Sequence, residues 1–377
     1  MKLSLLLTAI LGCSVSTASC AQKSLTTSQW NIQSTTPLST PRAAHKATMI
    51  SPLLVLVTGG CSNTGCTPVE PSAELIHIES GRSEAMLPMS EPRASHVAAP
   101  LRNGKVLVAG GWTGNTTTAS ADVFDPQTHT FSPVKSMATP RMDATATPLL
   151  DGLILVAGGA TATNQPTSKA EIFNHIDGRF SATDSMREAR VHHTAIRLNY
   201  GRVLLVGGLR GRNLATNSAE IYDPSTGAFT TTGSMQQARC KHGAVKLKDG
   251  RVMVIAGSTD CGDRHRIAQT EIYDPRTGQF TTGPSLQNPR YKIADAASVL
   301  PSGVVVVSGD ANDVETWTPG THAFVQANGN ISAGLAFSTA TVLPNGSVLV
   351  LGGYDNDIRV TAQAWIVNRI NSVGNPH

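Results

Sequence analysis

One pattern recurs seven times along the chain and restricts its fold more than any other feature. It is a run of branched apolar residues closed by two small ones. The second copy reads Val106-Leu107-Val108-Ala109-Gly110-Gly111 and the fourth Val203-Leu204-Leu205-Val206-Gly207-Gly208. The first small residue falls at 59, 110, 158, 207, 256, 308 and 352, with gaps of 51, 48, 49, 49, 52 and 44. A regular spacing of this size marks stacked copies of one supersecondary unit. The 377 residues are therefore read as one array rather than two or three separate domains.

Each copy can be read as strands. A first strand opens with arginine, as in Arg93-Ala94-Ser95-His96. Asn103-Gly104, Asp151-Gly152, Asp249-Gly250 and Asn345-Gly346 supply tight hairpin turns, because such pairs accept positive φ. The apolar run is the second strand. It does not alternate, as expected of a strand buried on both faces. Its small pair leaves room for close backbone packing between neighbouring units. A loop of variable sequence follows, then a third strand such as Ala219-Glu220-Ile221-Tyr222-Asp223-Pro224, then a fourth centred on Phe131, Phe180, Phe229, Phe280 or Phe324. Charged residues are only 15%, with 34 glycines and 21 prolines, which suits an all-β chain rich in turns.

The small pairs, apolar strands, Arg-x-x-His-x-Ala openings and Glu-Ile-Tyr-Asp-Pro strands resemble the kelch repeat family. The resemblance spans residues 28 to 368 and implies a seven-bladed kelch-type β-propeller. The last copy lacks a fourth strand before His377, whereas Ser28 to Ser34 precede the first copy unassigned. Residues 28 to 34 are therefore expected to complete the last blade, which removes the free edges of an open ring. Trp30 then becomes a core residue of that strand. Residues 369 to 377 remain as a tail.

Residues 1 to 21 read as a leader: Lys2, an apolar stretch from Leu3 to Leu11, then small residues to Ala21. Cleavage after Ala21 would release a secreted or periplasmic protein. Ile10-Leu11-Gly12-Cys13 resembles a bacterial lipobox, and Thr17-Ala18-Ser19-Cys20 is a poorer version; either would lipidate Cys13 or Cys20 and tether the protein to the envelope. Four cysteines remain, Cys61, Cys66, Cys240 and Cys261. In an exported chain they are expected to form disulfides. Cys61 and Cys66 share one loop, and a hairpin returns Cys261 towards Cys240.

Six arginines, Arg42, Arg93, Arg141, Arg190, Arg239 and Arg290, open six of the seven first strands. Two readings stand. A ring of guanidiniums at one mouth of the central channel would bind carboxylates or acidic sugars. Alternatively, each arginine pairs within its blade with Glu74, Asp122, Glu171, Glu220, Glu271 or Glu315. The seventh copy lacks both partners, with Gln363 in place of the acid, which favours the ion pair. His45, His96, His193 and His242 lie three residues after an arginine and read as packing residues rather than a metal set. Among the loops, Trp112, Arg210, Arg212, Asp263, Arg264, His265, Arg266 and Tyr354 are the side chains best equipped for recognition. Asp310, Asn312 and Asp313, and Asp355, Asn356 and Asp357, lack the spacing of an EF-hand. No metal or cofactor is expected.

Net charge is 30 − 26 = +4 with no basic run, so nucleic acid is not an expected partner. The sequence is read as an extracytoplasmic binding or interaction protein. Its expected partner is a protein or glycan in the cell envelope or outside the cell, it is expected to be a monomer, and it meets the membrane only through a lipid anchor. The alternative is an enzyme acting on a carbohydrate, such as a sugar epimerase or mutarotase. Copper-radical oxidases also use kelch propellers. That chemistry needs a free cysteine cross-linked to tyrosine, and the mature cysteines here are better read as paired.

Overall fold

The computed structural model describes residues 29–211, 214–262, 264–331 and 334–370. The leader, with Cys13 and Cys20, lies outside them, as do Arg212 and Asp263. Seven four-stranded antiparallel sheets are arranged as the blades of a propeller. The blades span 46–86, 97–134, 145–182, 194–231, 243–282, 297–326 and 339–369. In blade 4 the strands are Thr194–Arg197, Val203–Val206, Ala219–Asp223 and Ala228–Thr231. The first strands begin four residues after the arginine in blades 1 to 5, not at it. The arginine segment is a crossover that carries the chain inward from one blade to the next.

Ring closure follows the expected route. Trp30–Thr35 adds as the outer strand of blade 7, with Trp30 opposite Arg369 and Thr35 opposite Ala364. Trp30 and Ile32 are buried in one cluster with Val350, Trp365 and Val367.

The second strands are fully buried because they pack against neighbouring blades on both faces. Val203, Leu204, Leu205 and Val206 are all inaccessible to solvent. Each core cluster is shared between adjacent blades; Leu155 and Ala157 of blade 3 pack with Val203, Leu205, Tyr222 and Phe229 of blade 4. Cross-strand aromatic pairs brace the outer halves: Phe124–Phe131, Phe173–Phe180, Tyr222–Phe229 and Tyr273–Phe280 have centroids 4.8 to 5.0 Å apart.

The small pairs are demanded by contact. A Cβ on Gly59 would lie 2.1 Å from the Arg93 carbonyl oxygen of the next blade. Two disulfides, Cys61–Cys66 and Cys240–Cys261, form as expected, with Cα atoms 4.6 and 5.6 Å apart. They indicate an oxidising environment. No helix among the described residues is long and apolar enough to cross a membrane.

The ring has two faces. The mouth face carries the crossovers and the loops between second and third strands. The turn face carries the hairpins between first and second and between third and fourth strands. The chain enters at Trp30 and leaves after Arg369 on that turn face. Trp30→Ala should weaken closure of blade 7 and cost about 3–5 kcal/mol, read as a lower denaturation midpoint.

Candidate functional site

The six arginines do not ring the channel mouth. Their side chains are 0 to 1% exposed, which corrects the reading of Arg42, Arg93, Arg141, Arg190, Arg239 and Arg290 as a ligand-binding ring. Arg190 shows the arrangement. Its guanidinium donates to the Gly207 carbonyl at 2.8 Å, the Ser218 hydroxyl at 3.0 Å and Glu220 Oε1 at 2.8 Å, all in its own blade. Its backbone faces the preceding blade, accepting from Gly159 N at 2.9 Å and donating to Thr167 O at 3.3 Å. Glu220 also accepts the amides of Arg187 and Glu188 at 2.7 and 3.1 Å. Each clamp thus fixes a blade, its neighbour and the crossover between them.

Two departures support this reading. Blade 7 replaces the pair with buried Leu335 and with Gln363. In blade 2 the acid is Asp122, one methylene shorter. It reaches Arg93 at 2.9 Å and the Ser90 hydroxyl at 2.8 Å, and leaves its Oδ1 buried without a partner.

The four histidines also bind blade to blade. Nε2 of His45, His96, His193 and His242 meets the hydroxyls of Thr339, Thr58, Thr145 and Thr194 at 2.8 to 3.0 Å. Burial, then the adjacent arginine, lowers their pKa values, to about 3 for His45 and His242. They remain neutral and structural.

The mouth belongs to the residue between arginine and histidine. Ala44, Ser95, Asp143, His192, Lys241, Lys292 and Phe337 each hold φ between 52° and 56°. This left-handed conformation costs a non-glycine residue on the order of 1–2 kcal/mol. Their backbones close a ring of hydrogen bonds. Ser95 N donates to Ala44 O, Asp143 N to Ser95 O, His192 N to Asp143 O and Lys241 N to His192 O. Ile293 N donates to Lys241 O, Phe337 N to Lys292 O and Ala44 N to Phe337 O. The seven residues form a collar around a cavity of about 380 Å³, floored by Ala98, Ala146, Ala195, Ala244 and Ala340. Glycine would meet the backbone geometry at lower cost. Seven side chains are kept instead, and they are the strongest candidate site.

The collar is chemically uneven. Blades 1 and 2 offer the small Ala44 and Ser95. Blades 3 and 4 offer Asp143 and His192, with Oδ1 and Nδ1 3.5 Å apart. Burial, opposed by Asp143 and reinforced by Lys241 and Lys292, holds the His192 pKa below its ordinary value. Blades 5 and 6 offer Lys241 and Lys292. The Lys241 ammonium donates to the Cys261 carbonyl at 3.0 Å, so the Cys240–Cys261 disulfide helps to place it. The Lys292 ammonium lies 4.3 Å from the Tyr291 ring centroid, 5.2 Å from Tyr354 and 5.8 Å from Phe337. Blade 6 departs from the repeat and places Asp295 at the cavity, where it binds Lys46 at 2.6 Å. Lys46, Lys241 and Lys292 against Asp143 and Asp295 leave 3 − 2 = +1.

The loop candidates divide. Tyr354 reaches the mouth beside Phe337, with centroids 5.9 Å apart. Arg266 stacks 4.7 Å from the Tyr291 ring and binds Asp310 at 3.1 Å. Trp112 instead packs against Cys61, Val69 and Ala94. Arg210 is exposed and bound to Glu188 at 3.2 Å, and exposed His265 binds Asp260 at 2.7 Å. Asp310 also accepts the Tyr291 amide, and Asp313 holds Arg290 and Asn288. Among the described residues no three His, Cys, Asp or Glu side chains converge as metal ligands. The collar was missed in the sequence because it hides inside the Arg-x-x-His motif; its signal is a position that changes chemistry in almost every copy.

The chain is a seven-bladed β-propeller that carries kelch motifs. The kelch motif profile matches residues 93–138 and 190–236. A fungal alcohol oxidase of the AA5 family, solved in complex with copper, is similar with a TM-score of 0.72 at 15% identity, over 89% of this chain and 76% of that one. That likeness is one of fold. No curated protein sequence matches the chain. With 1106 solved chains sharing the architecture, the fold by itself selects no activity.

Asp122→Glu should let the shortened clamp reach the crossover amides of blade 2 and raise stability by about 1 kcal/mol. Glu171→Gln should cost about 3–5 kcal/mol by leaving buried Arg141 without its counter-charge. The buried histidines carry depressed folded pKa values, so the unfolded chain binds more protons as pH falls below 6.5. Stability should therefore decline from pH 6.5 towards about 3, by about 1.4 kcal/mol per histidine per pH unit. Denaturant midpoints across that range, with His242→Gln as the comparison, check the slope.

Proposed function

We propose that the protein is an extracytoplasmic binding protein whose channel mouth takes a small carboxylate-bearing polyol, an acidic sugar. The observation that carries this reading is the collar, in which seven strained side chains with a net charge of +1 surround one cavity. Lys241 and Lys292 present two ammonium groups on one side, where a carboxylate would be drawn. Phe337 and Tyr354 offer aromatic faces to the apolar side of a sugar ring. Asp143, His192 and Ser95 offer hydrogen bonds to hydroxyls, and the small residues of blades 1 and 2 leave room for the ring. The disulfides support an extracytoplasmic setting.

A second reading is favoured by the Asp143–His192 pair. A neutral imidazole beside a carboxylate, facing a bound sugar, is the equipment of general acid–base catalysis. It would suit a sugar epimerase or mutarotase. The copper-radical chemistry associated with this fold does not fit the donor set. All four cysteines among the described residues are in disulfides, and the four repeated histidines are committed to threonines of neighbouring blades.

Calorimetric titration with hexuronates and the matching neutral hexoses tests the binding reading. Uronates should bind and neutral hexoses should not. Lys241→Met with Lys292→Met should weaken binding at least about tenfold, the equivalent of about 1.4 kcal/mol, and raising salt should weaken it further. Equal affinity for neutral and acidic sugars would refute the charge argument. His192→Asn should weaken binding less than the double lysine substitution, and should abolish anomer exchange by NMR if the mouth is catalytic.

A further inference from the structure

The turn face carries a second anomaly, and the repeat supplies its own control. In blades 2, 3, 5, 6 and 7 the residue before the hairpin glycine is Asn103, Asp151, Asp249, Ser302 or Asn345. Each side chain accepts the backbone amide two residues on, at 3.0 to 3.4 Å. Blade 4 has Tyr200 there. It makes no such bond among the described residues, adopts φ 66° and is 95% exposed. Strain, a lost turn bond and a solvated aromatic ring are three costs with no return inside the molecule.

Two neighbours depart in the same way. Leu150 is 64% exposed where blades 2 and 5 have Arg102 and Lys248. Ile176 is 84% exposed where blades 2, 4 and 5 have Gln127, Ser225 and Arg276. All three lie on the turns of blades 3 and 4, and Leu150 packs onto the Gly201 backbone beside Tyr200. Leu53 and Ile370 share this face, so it holds five of the eight exposed large apolar side chains among the described residues.

We infer that the turn face rests on a lipid bilayer. What selects a bilayer is the path of the chain. The segment before Trp30, with its apolar stretch from Leu3 to Leu11 and its cysteines at 13 and 20, joins the propeller on this same face, at blade 7. Blades 3 and 4 lie on the far side of the ring from that junction. One acyl chain alone anchors only marginally, and a second contact makes attachment stable. An amphipathic tyrosine flanked by aliphatic residues is the composition that partitions to the headgroup region; Arg102 and Arg202 beside them are offset by Asp151, Asp177 and Asp223, so the contact is apolar rather than electrostatic. Two contacts at opposite rims lay the propeller flat, with its mouth towards the aqueous side. The inference rests on the lipid-anchored form of the exported chain, with Cys13 or Cys20 acylated, and is independent of the ligand at the mouth.

The experiment is co-sedimentation of the full chain, produced with its leader, on phosphatidylethanolamine–phosphatidylglycerol vesicles. The variant Leu150→Arg, Ile176→Gln, Tyr200→Ser installs residues that sibling blades already carry. Its bound fraction should fall at least about fivefold, with the melting temperature no lower than that of wild type and the uronate titration unchanged. Should the triple variant not fold, Tyr200→Asn alone serves, with a smaller fall in the same direction. In a Cys13→Ala, Cys20→Ala background binding should be weaker and still sensitive to Tyr200. Equal sedimentation of wild type and variant overturns the inference. So does a Tyr200-sensitive dimer in light scattering without vesicle binding, which would assign the face to a second copy of the chain.

Discussion

A buried guanidinium paired with a buried carboxylate is the interaction on which the propeller depends. Removing both charges from water is costly, and the attraction offsets that cost only when every remaining donor and acceptor is used. Here the backbone supplies most of the remaining partners, and the Nε of Arg93, Arg141, Arg190, Arg239 and Arg290 stays buried without one, so each clamp meets that condition in part. The Arg190 guanidinium also donates to Gly207 O and Ser218, and Glu220 accepts one crossover amide on each oxygen, Arg187 N on Oε2 and Glu188 N on Oε1. A clamp of this kind contributes specificity of arrangement. Where the arginine is followed by a histidine three residues on, the residue after the arginine bridges to the next loop, the next turns through positive φ, and the imidazole meets the neighbouring blade. The collar also persists where the clamp is absent: blade 7 has Leu335 and Gln363, and Phe337 still holds φ 56° and closes the ring.

The relation explains what the sequence discloses. The architecture is legible because it is repeated. Spacing, hairpin turns and the Arg–Glu correspondence each appear several times, and the joint loss of both partners at Leu335 and Gln363 identifies them as a pair. Ring closure by Trp30–Thr35 is legible from a missing strand at one end and a spare one at the other. The candidate site is less legible because it sits where repetition stops. Ala44, Ser95, Asp143, His192, Lys241, Lys292 and Phe337 share a position and no chemistry, so a search for recurring residues passes over them. The loops drew attention by their variability, yet Trp112 spends its ring on packing and Arg266 stacks on buried Tyr291, whereas Tyr354 lies beside Phe337 and Lys292 of the collar. Contacts between segments far apart in sequence leave no local trace.

The two faces divide the work of the molecule. On the mouth face polarity is graded around the ring, from small residues through an acid and an imidazole to cations and aromatics. On the turn face the polar turn residues of most blades give way to leucine, isoleucine and tyrosine in blades 3 and 4. Both departures are read against the same standard, the sibling blade, which shows what a purely structural residue at that position looks like.

The closed ring of backbone bonds in the collar has a consequence for how such a protein can change. Because main-chain atoms carry the ring, no collar side chain is needed to hold it. Each of the seven positions can be exchanged without disturbing the clamp behind it or the histidine beyond it. Blade 6 shows the tolerance: an added residue shifts the donor from Lys292 to Ile293 and the ring still closes. The side-chain chemistry of the mouth is therefore separable from the scaffold, one blade at a time, and chains sharing this architecture are free to diverge there while their folding remains the same.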